Sequence, residues 1–198
     1  MRPRRGSFVA IVGPDGVGKT TLANHLLNLA DGQAGYVHFR PRLFQPLPPR
    51  PDSLTVVSPD KHPSGNRFLG WLRLGASIPR FWVGYLTAIK PTLLRGGTVV
   101  ADRWAYGYVA QPHALRFFGP PRLARLALRV IPKPDLIINL VAPPHLIAKR
   151  KDELSEEEVT AELALWASLP VPSMATLDAT LPPDELATRA FSELASIK

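Results

Sequence analysis

The stretch IVGPDGVGKTTL, residues 11–22, decides the fold. The apolar run SFVAIVG (7–13) leads into it, and TTLANHLLNLA (20–30) carries on from it. The first reads as a short buried strand and the second as a helix, which places the glycines on a strand-to-helix turn. Gly13, four residues, then Gly18-Lys19-Thr20 fits G-x-x-x-x-G-K-[ST], the Walker A phosphate loop, in the structural context that motif requires. Glycines at 13, 16 and 18 let the chain take positive φ and turn N–H groups inward around a phosphate chain. A helix starting near Gly18 adds its unpaired N–H groups and the positive end of its dipole. Lys19 then places an ammonium on the β and γ phosphates, and the Thr20 hydroxyl is a magnesium ligand. The expected nucleotide-binding set is Gly13, Asp15, Gly16, Val17, Gly18, Lys19, Thr20 and Thr21, with ATP and Mg2+ as cofactors.

Outward from this loop, YVHFR (36–40), TVVADR (98–103), DLIINLVAP (135–143) and the weaker MATLDAT (174–180) read as further strands. Between them, Leu123, Leu126, Ala127 and Val130 recur at helix spacing, as do Val159, Leu163 and Trp166, and Leu186, Ala190, Leu194 and Ile197. Near-continuous apolar strands alternating with helices predict a five-stranded parallel sheet covered on both faces, an α/β three-layer sandwich. Ser155 and Glu158 form a capping box, so a helix is predicted from 156, and Glu156-Glu157-Glu158 suits its first turn. Prolines at 41, 46, 48, 49, 51, 59 and 63 exclude regular structure throughout 40–65.

The 198 residues suit one domain, 1–198, with room for a small lid. No cysteine is present, which excludes disulfides, thiolate metal sites and a cysteine nucleophile, and fits a cytoplasmic setting. The most apolar long region, 68–89, is broken by Arg73, Pro79 and Arg80, so buried helices and no membrane span are expected there. The formal net charge of +8 favours an acidic partner, and a phosphorylated small molecule satisfies it. The basic residues form no stripe interleaved with aromatics along the sequence, so nucleic acid is not the expected partner. Asp60, Lys61 and His62 are too few and too closely spaced for a metal site.

The second determinant is Asp102-Arg103, at the end of the third strand, where parallel-sheet enzymes place ligands. The carboxylate there can hold magnesium or orient a hydroxyl, and the arginine can grip a phosphoryl group; a plain strand-end ion pair is the alternative. No N-K-x-D base-reading motif is present, which argues against a guanine switch protein.

GPDGVGKTTL, VVADRW and KPDLIINLVAPPHLIAKRKDEL together resemble the thymidylate kinase family of nucleoside-monophosphate-kinase-like proteins, in order from about residue 7 to 195. The resemblance implies an ATP-dependent enzyme that moves the γ-phosphoryl to a small-molecule acceptor, be it nucleotide, nucleoside, or sugar or metabolite hydroxyl. It implies that Asp15 faces the acceptor, that Arg103 grips it, and that a basic lid within 143–158 closes over the moving group, with Lys149, Arg150 and Lys151 as candidates, Arg150 first. It also implies a homodimer, an assembly common in that family. The chain departs from the pattern after the second strand, where His38-Phe39-Arg40-Pro41-Arg42 replaces an arginine-containing Glu-Pro-Gly-Gly loop. It departs again in WAYGYVAQP (104–112), where Tyr108 and Gln111 stand out of register with the thymine-binding residues. Thymidylate is therefore a poor fit as acceptor. Arg40, Arg42 and His38 lie at a strand end where an acidic acceptor is held, and Trp71, with Trp82 and Tyr85, is a candidate wall of that pocket. Lys19, Asp15, Asp102, Arg103 and Arg150 form the expected catalytic set. A nucleotide-binding regulatory protein without transfer activity is the alternative reading, and an ATPase acting on nucleic acid is a third.

Overall fold

The computed structural model describes residues 6–30, 33–41, 43–44, 46–51, 67–150, 155–169, 171 and 173–197. Five parallel strands, β1 (Ser7–Val12), β2 (Ala34–His38), β3 (Thr98–Asp102), β4 (Leu136–Val141) and β5 (Met174–Asp178), pair in the order β2-β3-β1-β4-β5. β1 is central and wholly buried, as its unbroken apolar run predicts. Its side chains alternate between two cores. Phe8, Ala10 and Val12 join one and Val9 and Ile11 the other, so both faces of the sheet are covered.

On the face of Val9 and Ile11 lie helices α1 (Lys19–Leu29) and α8 (Pro183–Ser196), through Leu22, Leu26, Leu186, Ala190 and Leu194. Ile197 falls beyond the end of α8 and is exposed, so the stripe read from the sequence stops one turn early. The opposite face carries Phe81, Trp104 and Trp166 around Phe8. Phe8 meets Trp104 edge-on at 5.2 Å, and Phe81 meets it at 4.6 Å.

Two expectations about helices are corrected. The region 68–89 forms a single helical rod: α2 (Arg67–Gly84), a π-helical turn Tyr85–Ile89 and α3 (Lys90–Leu94). It is only partly buried. Leu74, Ser77, Phe81 and Ala88 point inward, whereas Phe68, Trp71, Leu72, Trp82 and Leu86 remain exposed. One stripe suffices to dock the rod, and at Gly84 a side chain would collide with Pro41. In α5 (Pro121–Val130), Ala124, Ala127 and Leu128 face the core while Leu126 and Val130 are exposed and Leu123 lies at the rim. Small alanines let the helix approach closely, which turns the stripe from the leucines read in the sequence.

After α4 (Gly107–Ala110) and β4 come α6 (Pro144–Arg150) and α7 (Glu156–Ala167), and the stretch 143–158 expected to act as a lid holds α6 and the start of α7. The predicted capping box is present: Ser155 Oγ accepts from the Glu158 N–H, and the Glu158 side chain accepts from the Ser155 N–H. Along the outer edge of β2, the proline-rich segment supplies the Pro48 carbonyl to the Tyr36 N–H at 2.7 Å. Proline beside an edge strand blunts a row of unpaired backbone groups. At the other end of the sheet Asp135 closes β4 against β1. Its Oδ2 accepts from the Phe8 N–H at 2.8 Å, and its own N–H donates to the Phe8 carbonyl at 2.7 Å. Among the described residues no helix is long and apolar enough to cross a membrane.

Candidate active site

Strand β1 pairs with β3 on one side and β4 on the other, so the loop that leaves its C-terminal end emerges where the chain's crossovers diverge, the position at which open α/β sheets bind ligands. Gly13, Gly16 and Gly18 all take positive φ, at 137°, 87° and 109°. At Gly13 the requirement is also steric, since a Cβ there would lie 2.7 Å from the Leu140 carbonyl oxygen. Val17 is buried beneath the loop, and Thr20 and Thr21 are exposed on the first turn of α1. Lys19 is 5% exposed and folds back over the loop, its Nζ donating to the carbonyls of Gly13 (2.9 Å) and Pro14 (2.6 Å) and to Asp15 Oδ1 (3.2 Å). Burial, with Arg103 adding, holds the Lys19 ammonium below its ordinary pKa against the pull of Asp102 and Asp15.

The same Asp15 oxygen pairs with Arg103 Nη2, so one carboxylate joins the loop lysine to the strand-end arginine. Burial works against the Arg103 charge, and Asp15 and Asp102 more than offset it, raising its pKa. The backbone at this point is constrained. Phe39 after β2, and Arg103 and Trp104 after β3, are non-glycine residues with φ of 57°, 64° and 48°. Left-handed conformations of this kind gather at functional sites, where surrounding structure enforces them. Here the Arg103 N–H donates to the Ile11 carbonyl at 2.8 Å and Trp104 Nε1 donates to the Pro132 carbonyl at 2.9 Å.

Asp102 is 3% exposed and lies in register between Ile11 and His38. Its Oδ2 accepts from the Tyr36 hydroxyl at 3.3 Å and lies 3.6 Å from His38 Nδ1, whereas its Oδ1 is buried without a partner. Burial pushes the Asp102 carboxyl up, but His38, Lys19 and Arg103 together hold it below the usual carboxylate value. Burial and Asp102 push the Tyr36 phenol up in turn.

A second cluster lies beyond Arg103. Arg40 Nη2 donates to the Tyr108 hydroxyl at 2.5 Å, and the guanidinium stacks over Phe39 at 5.1 Å and over Tyr108 at 5.6 Å. Gln111 Nε2 donates to Glu162 Oε1 at 2.5 Å, and Trp166 Nε1 donates to the same oxygen at 3.0 Å. Burial above all, reinforced by Asp15, raises the Glu162 carboxyl pKa against the pull of Trp166, Lys19 and Gln111. Trp71 is 45% exposed on α2 with its indole beside Gly119, and Arg150 is exposed at the end of α6. Arg42 and Lys151 lie outside the described residues, as do Asp60, Lys61 and His62.

Glu162, Gln111 as its partner, and Tyr36 were not singled out from the sequence. Glu162 had a usable signal: it falls three residues after Val159 and four before Trp166, on the buried stripe of α7, where an acid is out of place. Asn139 shares that quality. It is 1% exposed in β4, with neither side-chain polar atom bonded.

A family model described as ABC transporter matches residues 1–66, the third of the chain that holds the phosphate loop. No curated protein is significantly similar in sequence. Among solved structures, the thymidylate kinase of Candida albicans superposes with a TM-score of 0.67 over 97% of this chain and 92% of that one, at 18% identity. The chain has the thymidylate kinase fold. The likeness is one of fold: a five-stranded parallel sheet with the phosphate-loop motif after its central strand.

Proposed function

We propose that this chain is an ATP- and magnesium-dependent phosphotransferase that moves the γ-phosphoryl group to a small-molecule acceptor. The observation that carries the reading is Asp15, whose Oδ1 holds both Lys19, the donor-side cation, and Arg103, at the end of β3. That carboxylate joins the phosphate loop to the strand end where an acceptor would be held. Thr20 and Asp102 fit a magnesium ion, since Asp102 Oδ1 is buried without a partner in the field of Lys19; bound there, the ion would neutralise charge on the β and γ phosphates. In the nucleotide-bound state Lys19 exchanges the Gly13 and Pro14 carbonyls for phosphate oxygens, and Asp15 remains to hold Arg103 over the acceptor. Phosphoryl transfer asks chiefly for positioning and for cancellation of charge on the moving group, and these residues supply both. Lys149 and Arg150, exposed on α6, are the basic groups available to close over it.

The test is thermal unfolding with ATP and magnesium, followed by mass analysis of products from panels of nucleoside monophosphates, nucleosides and hydroxylated metabolites. ATP at a hundredfold its dissociation constant stabilises by about 2.7 kcal/mol. A product heavier by one phosphoryl group is expected. Binding of ATP with no product from any panel would instead favour a regulatory nucleotide-binding protein.

A further inference from the structure

The segment 103–111 is short, yet three separate parts of the chain converge on it. Arg103 bonds Asp15 of the phosphate loop, Tyr108 receives Arg40 from the end of β2, and Gln111 donates to Glu162 of α7. The two acceptor-side cations are partly engaged, Arg103 with a carboxylate and Arg40 with a hydroxyl and two aromatic faces, while the Nε of each is buried without a hydrogen-bond partner among the described residues. A phosphate monoester entering here would arrive beside two carboxyl groups, Asp15 and Glu162. An alcohol meets the opposite situation. Glu162 Oε1 accepts from both Gln111 and Trp166, and among the described residues Oε2 receives no hydrogen bond.

Resting on the transfer reading above, we infer that the acceptor is an uncharged, hydroxyl-bearing molecule such as a sugar or polyol, and that Glu162 takes its proton. In that step the acceptor oxygen forms a bond to the γ-phosphorus while the bond from that phosphorus to the bridging oxygen breaks, and ADP leaves with the electron pair. The hydroxyl proton passes to Glu162 Oε2 and from there to solvent. Asp15 is less suited to the task because its Oδ1 already receives Lys19 and Arg103. The charged groups acting on Glu162 are Asp15, Lys19 and Arg103; α6, packed along α7, carries His145, Lys149 and Arg150 on its exposed side. Burial raises the Glu162 pKa, the direction that makes its carboxylate a stronger proton acceptor. A monophosphate acceptor brings an oxyanion of its own and needs no such base.

The experiment compares wild type and Glu162→Gln with ATP and magnesium on two panels, one of sugars, polyols and nucleosides and one of nucleoside monophosphates. Products are followed by mass, kcat/KM is measured against pH, and ATP binding is read from thermal protection. Product is expected from the hydroxyl panel, with an acidic limb in the wild-type profile. In Glu162→Gln, kcat is expected to fall by about 10²–10⁴-fold and that limb to vanish, with ATP protection unchanged. The glutamine Oε1 still accepts from Gln111 and Trp166, which preserves the local fold; should the variant nonetheless fail to fold, panel selectivity and the wild-type pH profile decide. Product from monophosphates alone overturns the inference and leaves the transfer reading standing, as does a folded Glu162→Gln that keeps both its rate and its acidic limb. No product from either panel, with ATP protection intact, overturns both.

Discussion

The two ends of the cleft are built from different materials. At the donor end, backbone does most of the work: three glycines at positive φ, the first turn of α1, and one lysine resting on two carbonyls of its own loop. At the acceptor end the groups are side chains drawn from distant parts of the sequence, with Asp15 and Arg103 separated by 88 positions, Arg40 and Tyr108 by 68, and Gln111 and Glu162 by 51. A backbone cradle must be contiguous, because each N–H is placed by its neighbours' dihedral angles. A side-chain cluster is under no such constraint, since the fold brings its members together. On the proposed transfer reading, the donor end would be generic to the phosphate chain and the acceptor end would set specificity.

That contrast can be broken most directly at Lys19. Lys19→Ala is expected to lower phosphoryl transfer by about 10²–10³-fold, the scale on which removal of one transition-state donor acts, with circular dichroism unchanged. Transfer that survives would remove the donor assignment. Arg103→Lys keeps the charge and loses the planar fork, so turnover is expected to fall by about tenfold or more while ATP still protects against unfolding. If both fall together, the acceptor-end placement of Arg103 is wrong. Gly13→Ala sets a Cβ against the Leu140 carbonyl at a φ of 137°, and a stability loss above about 1 kcal/mol is expected in denaturant titration. The neighbouring Val17→Ala removes only buried methyl groups from beneath the loop, and a stability loss through packing is expected in the same titration. The smallest effect is in acid. The folded-state pKa of Asp102 lies below its ordinary value, so its contribution is present above the normal carboxylate pKa of about 4 and is lost as pH falls through the folded value. Asp102→Asn should flatten that part of the stability profile, measured by thermal unfolding between neutral and strongly acidic pH.

Legibility in the sequence follows the same division. The strands were readable because β1, β3 and β4 are central and buried on both faces, leaving short, continuous apolar runs. Ser155 and Glu158 declared the start of α7 through a local bond pattern. The turn through Gly13, Gly16 and Gly18 was legible because a backbone loop is contiguous, and the place of Asp102-Arg103 because it ends an apolar strand. The pairing of Arg40 with Tyr108, and of Gln111 with Glu162, was not, because nothing local records which distant side chain the turn after β3 will meet. The misread face of α5 has a related cause: leucines outnumber alanines there, yet close approach favours the smaller residue, and that preference belongs to the partner surface as much as to the helix.

The turn at Arg103 and Trp104 has one more consequence. Its left-handed backbone is bolted down by the Trp104 ring between Phe8 and Phe81 and by the indole bond to Pro132. The cleft thus resembles a vice with one fixed jaw, formed by the phosphate loop and this turn, which the sheet and its core hold rigid. Glu162 of α7 is tied to that same fixed jaw, through Gln111 and through Trp166, which is buried in the same core. On the reading proposed above, the base would therefore be set in place by the fold before an acceptor arrives.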